Sequence, residues 1–194
     1  SKLRNWAENE PALTEFRHAL IDSLRGRPHI LSEPEEILLS KAGPLAEGID
    51  NVYNMLDNVD IKLGSIVDEN GNTIELTPGL FAICREHKNR RIRADAFERV
   101  HESYNAFINT MGTLYTTHVK ADQFTASARR YPSTLGHALF SDNVPEELYT
   151  GLIENVKAYL PVLYRYLELR RRLLGLDDLH IYDTYIPVVD QPQR

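Results

Sequence analysis

With 194 residues, of which 42% are hydrophobic and 26% charged, the chain has the size of one good-sized domain or two small ones and an ordinary globular composition. A formal net charge of −6 opposes a nucleic-acid partner, whose phosphates the summed field repels, and no run approaches the ~18 uninterrupted apolar residues of a membrane span. The single cysteine, Cys84, excludes an internal disulfide, and its setting in GLFAICREH reads as a packed helical face within a reducing, cytoplasmic protein.

The chain opens on SKLRNWAENEP, too polar for the apolar core of a signal peptide. Ser1 stands where an initiating Met is expected, inside a pattern already helical, which suggests an excised or processed piece; removal of a tag leaves the same residue. Leu13, Phe16, Leu20 and Leu24 recur at helical spacing until Arg25-Gly26-Arg27-Pro28 breaks the run, as one helix or two halves meeting near Pro11. Ser32-Glu33-Pro34-Glu35 has the S-x-x-E form of a capping box. It predicts a helix from Glu33 to Ala42 that Gly43 stops, with a third helix over Pro44–Val59.

At Asp60 the character changes. Ile61–Val67, the turn cluster Asp68-Glu69-Asn70-Gly71-Asn72 and Thr73–Leu76 read as a β-hairpin, which needs helices or further strands to lean on because two strands alone are marginal in water. Thr77-Pro78 starts a short helix ending near His87. Asn89 caps the longest predicted element, to Arg130, with Phe97, Val100, Tyr104, Ile108, Met111, Tyr115 and His118 as its buried stripe and a kink expected at Gly112. A short helix over Ser133–Phe140 follows. The last helix is expected over Pro145–Leu174, kinked at Pro161, closed by Gly175, with Leu148, Leu152, Val156, Leu160, Leu163, Leu167 and Leu174 on its apolar side.

Catalytic motifs are sparse. His101-Glu102-Ser103-Tyr104-Asn105 comes nearest to a zinc helix, yet Asn105 stands where the second imidazole is needed, and an amide is a poor ligand for Zn²⁺. His18, His29, His87, His118, His137 and His180 show no paired spacing, and the chain has no G-x-S-x-G, P-loop or dinucleotide fingerprint. Adjacent carboxylates at Glu35-Glu36, Glu146-Glu147 and Asp177-Asp178 diverge on a helix and do not share a proton. Arg170, Arg171 and Arg172 complement a helix C-terminus, and Arg90, Arg91 and Arg93 read as a solvated face or as partners of Asp95 and Glu98. Tyr182, Asp183 and Tyr185, in the extended-looking HIYDTYIP, either line a cleft or pack on the bundle with hydroxyls in water.

Two stretches carry a family resemblance. The hairpin followed by LTPGLFAICREHKNRRIRADAFERVHESYNAFINTMGTLYTTHVKADQFTASARRY, and then FSDNVPEELYTGLIENV and YRYLELRRRLLGLDDLHIYDTYIP, resemble in order and spacing the region N-terminal to the catalytic domain in zinc oligopeptidases of the oligoendopeptidase F family. The resemblance implies a mostly helical fold around a deep channel for unstructured peptides, with zinc held by an H-E-x-x-H helix and a later Glu. None of the 194 residues forms that motif, so no catalytic, metal or cofactor-binding residue and no substrate-cleft residue is carried over.

The fold class read from the sequence is mainly α, a helical bundle with long kinked helices and one β-hairpin insertion. Residues 1–59 form N-terminal helices, 60–88 the hairpin and short helix, and 89–194 a long-helix region preceding the catalytic domain. The function implied is the non-catalytic, substrate-channel-forming portion of a zinc-dependent oligoendopeptidase, inactive alone, with zinc bound elsewhere in the parent. Its expected partners are short peptides and the C-terminal catalytic domain, not nucleic acid or membrane, with a homo-oligomer open because apolar surface is left bare. The alternative is a free-standing helical interaction or oligomerisation module.

Overall fold

The computed structural model describes residues 2–189. It is mainly helical, in the order α1 (Lys2–Asn9), α2 (Arg17–Gly26), α3 (Glu33–Met55), β1 (Ser65–Val67), β2 (Thr73–Glu75), α4 (Pro78–Arg85), α5 (Arg90–Asn105), α6 (Ile108–Ala128), α7 (Thr134–Phe140) and α8 (Glu146–Leu173). Two compact units result, one from Ser1–Asp50 with Thr116–Glu146, the other from Asn51–Tyr115 with Glu147–Arg194.

Local chemistry explains the starts of α3, α4, α5 and α7. Thr77 accepts from the Leu80 N–H at 3.1 Å, Asn89 from Arg91 at 3.0 Å and Ser133 from Gly136 at 2.8 Å, each satisfying a donor that has no partner within its helix. At α3 the Glu35 carboxylate accepts from both the amide and the hydroxyl of Ser32, at 2.8 and 2.6 Å. The first helical run does divide at Pro11, which opens a 3-10 turn over Pro11–Phe16.

Two expected boundaries are displaced. Gly43 does not stop α3, which runs on through Pro44 to Met55 and ends in a π turn over Leu56–Asp60. An interior proline removes one hydrogen bond and costs about 3 kcal/mol, and the intact turns on both sides carry the helix past it. The long helix after Asn89 breaks at Ala106-Phe107, not at Gly112. There the Phe107 N–H bonds to the Tyr104 carbonyl three residues back, and Phe107, Met111 and Leu114 turn toward the core. The same shift leaves Ile108 and Tyr115 exposed, while Ile92, Ala96 and Val100 form the buried stripe of α5.

In the first unit, burial is thin: among the described residues only Ala7 and Ala126 are buried hydrophobics there. Its contacts are instead aromatic and ionic. His29 stacks on Tyr131 at 3.6 Å, the Arg25 guanidinium lies 3.8 Å from the Phe140 ring centre, and Arg129 makes a two-pronged pair with Glu36 at 3.0 Å on each oxygen.

The second unit holds the main core. β1 and β2 pair antiparallel, Ile66 opposite Ile74, and the Leu76 N–H extends the ladder by bonding to the Gly64 carbonyl at 2.8 Å. Leu63, Ile66 and Leu76 are buried with Leu56, Ile61, Cys84 and the α5 stripe, so the hairpin rests on α5 as its size demands. Gly64 has a positive φ of 74°, and a Cβ there would lie 2.7 Å from Arg99 Cδ. Burial pushes the Cys84 thiol up, away from the thiolate, as its packed setting implies.

At the edge of this core the Tyr104 hydroxyl donates to Asp57 at 2.8 Å. That bond, reinforced by burial and by the Asp57 charge, pushes the phenol up to about 12. Because the folded value lies above the unfolded one of about 10, the contribution is complete below that pH and is lost as pH rises through the folded value. We expect Tyr104→Phe to lower stability by about 1–3 kcal/mol at pH 8. Urea titrations should show the wild type losing that margin between about pH 10 and 12 while the variant stays level over the same range; equal alkaline slopes would contradict the assignment.

Candidate functional site

The most elaborated polar structure joins α5, α8 and the segment that follows α8. Gly175, with a φ of 65°, turns the chain out of the helix, and the expected extended run HIYDTYIP is instead a 3-10 turn over Ile181–Asp183. The reason is local: the Asp183 carboxylate accepts from the His180 amide at 3.1 Å and closes the turn on itself.

Asp183 is fully buried, which is costly for a carboxylate unless several donors replace water. Here Arg93 donates at 2.7 Å, Arg90 donates at 2.9 Å to the other oxygen, and the Arg90 Nε spans both at 3.2 and 3.3 Å. Burial by itself would raise the carboxyl; Arg90, Arg93 and the His180 amide outweigh it and hold Asp183 below the usual carboxylate range. The two arginines sit in the first turn of α5, where cations run against the helix dipole, so the carboxylate also relieves that conflict.

Further donors bind the same segment. Arg170, buried near the end of α8, donates to the carbonyls of Asp183 at 3.3 Å and Ile186 at 2.5 Å. Arg171 donates to the carbonyls of Leu176 and Asp177 while pairing with Glu168. Asp178 pairs with His180 at 2.6 Å, and Tyr182 stacks on His180 and sets its edge toward Phe97. The basic cluster on α8 is thus structural, as its position predicted. Arg91 does meet Asp95 at 2.7 Å, whereas the partner of Arg90 and Arg93 is Asp183, some ninety residues away.

Of the three candidates in HIYDTYIP, Asp183 points inward and Tyr182 is half-buried. Tyr185 is exposed, with the Arg85 guanidinium 4.1 Å from its ring centre. Sequence reading missed Arg85. Its only signal was its place four residues after Phe81, whose ring lies 5.3 Å away on the other contact. The carboxylate pairs diverge as expected: Glu35 turns to Ser32, while Glu36 turns to Arg129 and the Leu31 amide.

The residues present do not fit a zinc site. Among the described residues no three His, Cys, Asp or Glu side chains gather in a geometry suited to a metal, and His101 sets its Nδ1 2.7 Å from the Phe97 carbonyl of its own helix. Among the described residues no helix is long and apolar enough to cross a membrane.

Comparison with known proteins decides the family. Residues 1–62 match the family described as oligopeptidase F, and residues 83–193 match peptidase family M3. The chain belongs to peptidase family M3. Within that family it is 39% identical over 188 residues to oligopeptidase PepF of Bacillus subtilis, covering 97% of this chain and 28% of that protein. It is 35% identical to an oligoendopeptidase F homolog of Lactococcus lactis, covering 94% and 30%. Its fold superposes with a TM-score of 0.87 on oligoendopeptidase-F from Enterococcus faecium, at 35% identity over 96% of this chain and 36% of that one. A TM-score of 0.90 relates it to a putative peptidase from Chlamydophila abortus, at 28% identity. The chain therefore spans about a third or less of the M3 relatives it matches.

The clamp generates a direct expectation. Asp183→Asn leaves Arg93 buried without its charge partner and should cost about 3–5 kcal/mol, as breaking a buried pair does. Since the Asp183 carboxyl is held low, its contribution is present above the ordinary carboxylate pKa and lost as pH falls through the folded value. Denaturant midpoints from pH 7 down to pH 2 should converge for wild type and variant at the acid end; a constant gap would contradict the linkage.

Proposed function

We propose that this chain is the non-catalytic, substrate-channel-forming portion of a zinc-dependent oligoendopeptidase that hydrolyses short peptides. Membership in family M3 supports the reaction class, and its relatives, oligopeptidase PepF and oligoendopeptidase F among them, support short peptides as the substrate. Zinc belongs to residues outside these 194, which contain no H-E-x-x-H.

The observation that carries the reading is the bare apolar side of α8. Leu148, Leu152 and Val156 are 62%, 63% and 56% exposed, and Tyr159, Leu163 and Tyr166 continue the exposed run. A long helix with its apolar side in water is unstable as a finished surface, so we read it as a wall that another part of the parent covers or that faces a peptide channel. Its own end is not loose: Arg170 and the Asp183 clamp anchor it. A rigid wall of this kind acts by restricting substrate length and orientation, which converts binding energy into correct placement of the scissile bond. We place the parent protein in the cytoplasm, where the single cysteine Cys84 stays reduced.

The test is reconstitution. The isolated chain with added Zn²⁺ should hydrolyse peptides only at background. A chimera in which residues 1–194 replace the corresponding segment of Bacillus subtilis PepF should show chelator-sensitive hydrolysis of a quenched fluorescent peptide. Turnover by the isolated chain, or a folded chimera with none, overturns the proposal.

A further inference from the structure

Of the twelve asparagines in the chain, Asn70 alone is followed by glycine. The pair stands at the tip of the hairpin, where Glu69, Asn70, Gly71 and Asn72 are all exposed. An asparagine side chain is open to attack at Cγ by the amide nitrogen of the next residue. A side chain on that next residue crowds the approach, and glycine carries none. The space around Gly71 is also open, because a Cβ there would meet nothing within 4 Å beyond its chain neighbours.

The turn is held firmly at its base and loosely at this nitrogen. Arg91 donates to the carbonyls of Val67 and Asp68 at 3.0 Å each, and the Asp68 N–H donates to the Asn72 carbonyl at 2.8 Å. The Asp68 carboxylate accepts from the amides of Asn72 and Asn70 at 2.8 Å and from the Asn72 side chain at 3.1 Å. The Asn72 side chain and amide foremost, with lesser help from Asn70, hold that carboxyl below its usual range, so it stays ionised and keeps the turn in place. The Gly71 N–H reaches the Asp68 carbonyl only at 3.4 Å, the longest hydrogen bond of the turn and beyond the usual N–H···O range. Gly71 takes a φ of 85°, which glycine adopts without strain in a short hairpin loop. Its amide nitrogen is therefore weakly committed and reached by water.

We infer that Asn70 is a site of spontaneous covalent modification, at which the exposed Asn70-Gly71 tip loses ammonia and becomes an acid. The Gly71 amide nitrogen gives its proton to solvent base and bonds to Asn70 Cγ. The Cγ–Nδ2 bond breaks, ammonia leaves with a proton from solvent, and a five-membered imide remains. Water then opens the ring at either carbonyl, giving an aspartyl residue or an isoaspartyl residue whose main chain runs through Cγ. Nothing is oxidised or reduced. Both products set a new carboxylate beside Asp68 and Glu69, and the isoaspartyl form adds a carbon to the main chain of a turn whose register places Val67 opposite Thr73.

The experiment ages the folded 194-residue chain at mildly alkaline pH and follows it by anion exchange and mass spectrometry. A more acidic species should accumulate, heavier by the difference between an amide and an acid. In its tryptic digest the peptide of residues 63–85 should give two new peaks of equal mass, the aspartyl and isoaspartyl forms, with fragmentation placing the change at Asn70. Formation should quicken as pH rises, because Gly71 must lose a proton. Asn70→Gln, which would have to close a larger ring, should lose the acidic species, and Asn70→Asp supplies the aspartyl product as a chromatographic reference. A parallel sample in urea separates the folded turn from the bare sequence. If the species forms only in urea, the folded turn protects the bond and the site is refuted. Mapping of the change to another asparagine, or an equal rate in Asn70→Gln, overturns it as well.

Discussion

Removing the Asp183 carboxylate from water is the step on which the organisation of the second unit turns. A buried carboxylate needs donors on both oxygens, and they come from two places in the sequence, the first turn of α5 and the backbone of its own 3-10 turn, while Arg170 from the end of α8 holds the backbone carbonyls of Asp183 and Ile186. Each donor group would be poorly placed without the others. Arg90 and Arg93 oppose the dipole of α5, and Arg170 is the one fully buried residue among those described on α8. The carboxylate makes these separate costs cancel.

That arrangement differs in kind from the hairpin core beside it. Ile66, Leu76, Ile92, Ala96 and Val100 associate because their apolar surface leaves water, a force without direction that tolerates exchange of similar shapes. The clamp is directional. It fixes where the chain goes after Gly175, and so where Tyr185 meets Arg85, which burial alone would leave undetermined. Core and clamp together hold the hairpin, α4, α5 and the segment after α8 in contact.

Features decided within a few residues were legible in the sequence. Thr77, Asn89 and Ser133 cap helices through bonds to amides two or three positions on, Gly175 ends α8, and the Asn70-Gly71 turn closes the hairpin. Features decided by tertiary contact were not. Gly43 and Pro44 carry a stop signal that α3 overrides, and the break at Ala106-Phe107 arises because Phe107 is drawn to a core assembled from β1, β2 and α5. The RRIR run announces an unfavourable charge at a helix start, yet nothing in it names Asp183 as the remedy.

Periodicity has a further limit, visible on α8. The spacing of Leu148, Leu152, Val156 and Leu163 correctly identifies an apolar side, but a pattern of that kind states only that water is unwelcome there, not which surface replaces it. The distribution of polar contacts narrows the choice. Arg170 and Arg171, at the C-terminal end of α8, hold the carbonyls of the segment that follows, while Leu148, Leu152, Val156 and Tyr159 in the preceding turns are exposed. At its other end Glu146 accepts from the Ser133 hydroxyl at 3.1 Å, so the exposed leucines and tyrosines lie between two polar attachments. Charge is uneven along the helix: three consecutive arginines, Arg170, Arg171 and Arg172, stand at its C-terminal end, where they complement the helix dipole and hold the chain that follows.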